Sequence, residues 1–185
     1  MEAGYSVGMA QDQPLPSLWL LSDARNDASL QTALRKMPTG SAFVFRHYHL
    51  APAERRARFD ECAVIAGDCG HLLILSGTGD LARSWGADAI YGAPEAIADS
   101  PGIARFATAH NAQEIAQAQQ AGADALFLSP VFATRSHAGA ETLGVAKFRK
   151  LAATSAIPVI ALGGMNAQRA RELDWPRWAA IDGLS

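Results

Sequence analysis

The sequence predicts a single α/β domain closed into a parallel (β/α)8 barrel, a trimmed TIM barrel whose eighth helix is missing. Three observations predict it. Eight short apolar runs alternate with helix-like stretches along the 185 residues, which is the rhythm of βαβ units. Most of these runs are continuous rather than alternating, as parallel strands covered on both faces tend to be. Two helix-to-strand junctions are written alike, Gly86-Ala87-Asp88 and Gly122-Ala123-Asp124, and Leu173-Asp174-Trp175-Pro176 repeats them loosely. A left-handed residue there, normally glycine, ends one helix and aims the chain into the next strand.

The elements follow in order. The first strand is expected over Leu18–Leu21, ending in Ser22-Asp23, and the second over Ala42–Phe45, ending at Arg46. Pro52–Gly67 is expected as a helix, with Arg55, Arg56, Arg58, Asp60 and Glu61 toward water and Phe59, Cys62, Ala63 and Ala66 inward. The third strand, Leu72–Leu75, ends in Ser76-Gly77. The fourth, Asp88–Tyr91, is weaker and ends at Gly92. The fifth, Ile103–Ala107, ends in Thr108-Ala109-His110. Asn111 caps a helix over Ala112–Gln120, and Ala121-Gly122 stops it. The sixth strand, Ala125–Leu128, ends in Ser129-Pro130, and a helix is expected over Val145–Ala153. The seventh, Pro158–Leu162, ends in Gly163-Gly164, and Asn166 caps a helix to Leu173. The eighth, Trp178–Ile181, lies too near Ser185 for an eighth helix to follow. Domain boundaries follow: a flexible leader over 1–16 and the barrel over 17–185.

Composition narrows the function classes. A hydrophobic fraction of 49% is too high for a disordered chain. A net charge of −2 and a pI near 6.2 argue against nucleic-acid or membrane-surface binding. The leader has neither the basic start nor the apolar run of a signal peptide, and no apolar stretch approaches a membrane span. The expected compartment is the cytoplasm. Cys62 and Cys69 share one helix face about 10 Å apart, too far for a disulfide, and no zinc spacing is present. They read as small apolar residues. The missing helix should leave the flank of the first and seventh helices uncovered, which invites the leader or a second copy in a homodimer.

In a parallel barrel the chemistry gathers at the C-terminal ends of the strands. That makes Asp23, Arg46, Ser76, Thr108, His110, Ser129, Thr134, Gly163, Gly164 and Asp182 candidates. Asp88, Asp124 and His71, at strand starts, read as structural. Gly163-Gly164 lets backbone N–H groups face a ligand without side-chain obstruction, at the start of a helix, which suits a phosphate. The loop from Pro130 to His137 carries Thr134, Arg135, Ser136 and His137 and reads as a lid or phosphate clamp. His110 is placed to carry protons near neutral pH. His47 and His49 follow Arg46 but lack a third ligand, so no metal site is assigned.

These segments resemble the thiamine phosphate synthase and thiazole tautomerase (TenI-like) superfamily. The resemblance is carried by Thr108-Ala109-His110-Asn111, Gln113-Glu114-Ile115, Gly122-Ala123-Asp124, Ser129-Pro130-Val131-Phe132-Ala133-Thr134, Leu143-Gly144 and Ile157-Pro158-Val159-Ile160-Ala161-Leu162-Gly163-Gly164-Met165. It implies a (β/α)8 barrel and a thiamine-biosynthesis enzyme that couples hydroxymethylpyrimidine diphosphate to thiazole phosphate. It also implies Mg²⁺, but the usual ligands are missing. Ser76-Gly77 replaces an Asn-Asp pair, Glu95 stands near the second aspartate position, Tyr48 replaces a lysine, and His137 replaces the lysine of the strand-six loop. Each lost cation removes a charge-assisted contact worth about 1.5–3 kcal/mol to a departing pyrophosphate.

What remains assigns His110, Arg46 and His137 to catalysis. Thr108, Ser129, Thr134, Ser136, Gly163 and Gly164 are assigned to the phosphorylated ligand. Asp182 is a liability beside a phosphate unless a cation neutralises it. The first expectation is synthase-like chemistry with a degenerate metal and pyrophosphate site. The alternatives are a thiazole tautomerase using His110 as acid/base and a non-catalytic barrel that binds a phosphorylated ligand.

Overall fold

The computed structural model describes residues 14–134 and 141–184. Eight parallel strands close into a barrel in sequence order: β1 (Leu18–Leu21), β2 (Ala42–Phe45), β3 (Leu72–Ser76), β4 (Ala89–Gly92), β5 (Ala104–Ala109), β6 (Ala125–Leu128), β7 (Val159–Ala161) and β8 (Trp178–Ala180). Closure is made by β8 against β1, with Leu18, Trp19 and Leu20 opposite Trp178, Ala179 and Ala180. The helices between them are α1 (Leu30–Lys36), α2 (Pro52–Asp68), α3 (Gly79–Trp85), α4 (Pro94–Ile97), α5 (Ala112–Gln120), α6 (Gly144–Ala152) and α7 (Ala167–Leu173). A 3-10 turn over Asp27–Ser29 precedes α1. Among the described residues no helix follows β8, and none is long and apolar enough to cross a membrane.

The strands read as continuous apolar runs because each has two buried faces. Alternate residues point into the barrel. Trp19, Leu21, Val44, Ile74, Tyr91, Phe106, Phe127, Ile160 and Leu162 belong to the inner core. Their neighbours, such as Leu20, Phe43, Phe45, Leu75, Leu126 and Leu128, meet the helices in the outer core. Trp19 plugs the interior, edge-on to Phe106 at 5.1 Å and Phe127 at 5.3 Å between ring centroids. Leu15, just before β1, packs against the same inner core.

The repeated Gly-Ala-Asp junction is a strand staple. Gly86 and Gly122 take φ +80 and +68, where glycine is strain-free. The following aspartate then bonds the start of the preceding odd strand twice. Asp88 donates its N–H to the Leu73 carbonyl and accepts from the Leu73 N–H, both at 2.8 Å. Asp124 does the same to Arg105 at 2.8 and 2.7 Å. His71, at the start of β3, bonds the Leu34 carbonyl at 2.9 Å. These three residues are structural, as expected from their position. The third junction has no glycine, and Asp174 itself takes φ +47, a conformation aspartate tolerates better than most residues.

Several boundaries differ from expectation. β5 extends to Ala109, so Thr108 lies within the strand. β4 begins one residue late because Asp88 serves the staple. Cys69 is the C-cap of α2 rather than part of it, and it is only partly buried, whereas Cys62 is fully buried. Neither α1 nor α4 was expected. They have 7 and 4 residues, too few to show an amphipathic period.

Candidate active site

The inward parity of the strands continues past their ends. Counting by twos from Trp19 and Leu21 reaches Asp23. Val44 leads to Arg46, Phe106 to Thr108 and His110, Phe127 to Ser129, and Ile160 and Leu162 to Gly164. All of these line one cavity of about 730 Å³ at the barrel mouth, with Gly163, Thr134 and Asp182. Nine of the ten strand-end candidates therefore meet at one place. Ser76 does not line it. Ser136 and His137 lie outside the described residues. The cavity is also lined by Arg25, Tyr91 and Arg169, which sequence reasoning had not singled out. Tyr91 shares the inward parity of β4, a signal that was available. Arg25 and Arg169 sit on a turn and a helix, where no strand parity points.

The helix cap of α5 holds His110. Asn111 accepts from the Glu114 N–H at 2.9 Å, and the Glu114 carboxylate accepts from the His110 N–H at 2.9 Å. The His110 ring then turns onto β6, with Nδ1 2.8 Å from the Ser129 carbonyl and 3.3 Å from its hydroxyl. A carbonyl only accepts, so Nδ1 carries the proton. The neutral tautomer keeps its lone pair on Nε2.

Across the mouth, Gly163 and Gly164 have φ +97 and +63. A Cβ at Gly163 would come within 2.6 Å of Pro130 Cα, and one at Gly164 within 2.4 Å of the Ala133 carbonyl. The close approach comes from the β6 loop, whose Phe132 N–H donates to the Gly163 carbonyl at 3.0 Å. Among the described residues, the N–H groups of Gly163 and Gly164 donate to no carbonyl. Arg169 donates to the Gly164 carbonyl, with its guanidinium 5.1 Å over the Phe132 ring.

Asp23 is the electrostatic hub. It accepts from Arg25 Nε and Arg46 Nη2, both at 2.8 Å. The Arg25 guanidinium holds its carboxyl below the usual aspartate range, helped by Arg46. Arg25 also reaches Asp182 at 3.5 Å, supplying the cation that this carboxylate needs beside an anion. Burial pushes the Tyr91 phenol up to about 12, so it faces the cavity as a neutral hydroxyl.

The corner between β2 and β3 is closed. The Tyr48 hydroxyl bonds the Ser76 hydroxyl, which also reaches the Tyr91 carbonyl at 3.2 Å. Arg55 ties the two strand ends, donating to the Arg46 carbonyl at 2.8 Å and the Ser76 carbonyl at 2.7 Å. A magnesium ion takes oxygen ligands that usually include a carboxylate. This corner offers two neutral hydroxyls that are already engaged, and no three acidic, histidine or cysteine side chains cluster among the described residues. The residues do not fit the ion. His47 is no ligand either, because both its ring nitrogens are bonded to protein, to Ser22 at 2.7 Å and Asp27 at 2.8 Å.

A closed parallel barrel whose polar side chains converge at one mouth is the architecture of a (β/α)8 enzyme. A family model described as thiamine monophosphate synthase matches residues 19–175. The chain belongs to that family. Among its relatives, the thiamine-phosphate synthase of Pyrococcus furiosus is 24% identical over 163 residues, covering 84% of this chain and 79% of the relative. A putative thiamine-phosphate synthase 2 of Aquifex aeolicus is 26% identical over 164 residues, covering 84% and 88%. The solved thiamine phosphate pyrophosphorylase of Pyrococcus furiosus superposes with a TM-score of 0.75 at 24% identity, covering 90% of this chain and 85% of that one. FabK of Thermotoga maritima shares the fold at a TM-score of 0.70 and 16% identity, covering 92% and 59%.

Proposed function

We propose that this member of the family binds a phosphorylated thiazole and moves a proton on its ring, a tautomerase-type reaction with His110 as acid/base. The observation that carries this reading is the His110 ring, held as its Nδ1–H tautomer, in the same cavity as the Gly163-Gly164 turn. The two glycine amides supply donors for the phosphate. Thr108, Ser129 and Thr134 add hydroxyls from the cavity wall. The Nε2 lone pair takes a proton from a ring carbon and returns it to another atom of the same substrate. No group leaves, so the reaction has no pyrophosphate charge to neutralise. The engaged hydroxyls of the β2–β3 corner fit that requirement better than they fit metal-assisted group transfer.

A second reading, synthase chemistry joining thiazole phosphate to a pyrimidine diphosphate, is favoured by the names of the relatives and by Arg46 at the mouth. One experiment separates the two. The protein is incubated with thiazole carboxylate phosphate, and aromatisation is followed by absorbance. The same protein is incubated with thiazole phosphate, pyrimidine diphosphate and Mg²⁺, and pyrophosphate release is measured. Aromatisation that disappears in His110→Ala, with thiazole phosphate binding retained, is the expected result. Pyrophosphate release without aromatisation would reverse the assignment.

A further inference from the structure

Behind the mouth lies a partly buried chain of hydrogen bonds that the proposed reaction does not use. Arg58 of α2 donates to the Asp27 carboxylate at 2.8 Å. Asp27 meets His47 Nε2 at 2.8 Å, His47 Nδ1 meets the Ser22 hydroxyl at 2.7 Å, and that hydroxyl meets the Arg46 N–H at 2.7 Å. Ser22 and His47 are 0% and 1% exposed, so water does not reach the bond between them, while the Asp27 carboxylate at the outer end is 38% exposed. The His47 ring is stacked on Phe45, 4.8 Å away and 5° from parallel. Its backbone sits at φ +40, which only a well-determined environment holds in a residue other than glycine.

The polarity of this chain is settled from both ends. The guanidinium of Arg58 and the amide of Arg46 can only donate. Asp27 is therefore the acceptor at one end, and it takes the His47 Nε2 proton. The Ser22 oxygen is the acceptor at the other end, and it gives its own proton to His47 Nδ1. One tautomer of His47, protonated on Nε2 alone, satisfies every atom. A doubly protonated ring would place Nδ1–H on the second lone pair of that hydroxyl and leave the hydroxyl proton in need of a new acceptor.

We propose that Asp27, His47 and Ser22 form a positioning relay for Arg46. His47 never lines the large cavity, yet it fixes the backbone from which the Arg46 guanidinium reaches Asp23 and the mouth. Arg46 is held at three points: its amide by Ser22, its carbonyl by Arg55 at 2.8 Å, and its Nη2 by Asp23 at 2.8 Å. Only the first depends on a titratable ring. The groups facing that ring are Asp27 from the 3-10 turn, Arg58 from α2 and His49 from its own loop, 5.2 Å away. The inference takes Arg46, which lines the mouth, as an anion-binding residue, the role that the second reading gives it, and does not depend on the His110 chemistry.

The test uses the whole chain and inorganic phosphate and pyrophosphate as probes, with affinity measured by calorimetry. His47→Phe keeps the stack on Phe45 and removes both polar contacts. Its anion affinity should fall about tenfold. His47→Asn tolerates the positive φ and presents an oxygen near the Nδ1 position, so it should recover affinity to within about threefold of wild type. Wild-type affinity in His47→Phe overturns the proposal, as does an asparagine variant no better than the phenylalanine one. If His47→Phe does not fold, Ser22→Ala reads the same link and should show the same loss. In the unaltered protein, long-range proton–nitrogen NMR should find His47 as the Nε2–H tautomer, and an Nδ1–H tautomer would overturn the relay directly. Unchanged anion affinity in Arg46→Gln would overturn the role given to Arg46 while leaving the His110 chemistry standing, which separates this failure from that of the proposed function.

Discussion

Single residues carry the site, and the most informative are the two with no side chain. Gly164 cannot accept a Cβ without pushing the Ala133 carbonyl away from 2.4 Å, and its φ of +63 disfavours any L-residue. Gly164→Ala should cost about 1–3 kcal/mol and weaken phosphate binding together. Urea denaturation and phosphate titration of the same sample check this, and a variant as stable and as tight as wild type would remove the steric argument. His110 could be placed from the sequence because it follows a strand end and precedes an Asn cap. Its tautomer could not, because the deciding acceptor, the Ser129 carbonyl, is 19 residues away on the next strand. Arg25 was missed for the same reason: its role depends on Asp182, 157 residues distant.

At two strand starts, short polar staples hold the register. Asp88 and Asp124 each close a two-bond ring onto the start of the preceding strand, and each follows a left-handed glycine that ends the preceding helix. Asp88→Ala and Asp124→Ala should each lower stability by about 1 kcal/mol through an unpaired strand amide. The loss should be larger for Asp88, whose acceptor bond is partly buried while that of Asp124 is exposed. Chemical denaturation of both variants tests the order. This repeat was legible in the sequence as a word, and its position at strand starts marked both aspartates as structural. The short helices α1 and α4 were not legible, because packing against the barrel rather than their own period stabilises them.

At the scale of the whole molecule, a barrel of 185 residues is possible because aromatic side chains fill its centre. Trp19 touches Phe106 and Phe127, and Tyr91 meets Phe127 edge-on at 5.1 Å. Trp19→Ala should cost about 3–5 kcal/mol, a large share of a domain's stability. A thermal midpoint near wild type would show that the plug is dispensable. The stability of the whole also depends on pH. Burial depresses the His47 pKa below its ordinary 6.5, although the Asp27 bond works the other way. The unfolded chain therefore takes up a proton near pH 6.5 that the folded chain refuses. Stability is full above that point and declines as pH falls toward the lower folded value. Asp23, held below 3.8 by Arg25, adds a further loss in stronger acid. Urea midpoints at about pH 7.5 and 5.5 should drop on acidification, and His47→Asn should flatten that difference. An equal drop in the variant would assign the effect elsewhere.

The sequence by itself determined the barrel, the strand ends and hence the residues that could share a site. Alternation between two buried faces, helix caps and glycine stops are local signals, written within a few residues of where they act. The family pattern around Thr108 to Met165 was legible for the same reason. Only the tertiary structure decided which polar groups are spent on one another. Closure of the barrel brings Arg46 onto Asp23, turns Tyr48 onto Ser76, and buries His47 between Ser22 and Asp27. Those pairings join residues from separate βα loops. The energy of a hydrogen bond or ion pair depends on ångström-scale placement and burial, which no run of neighbouring residues encodes.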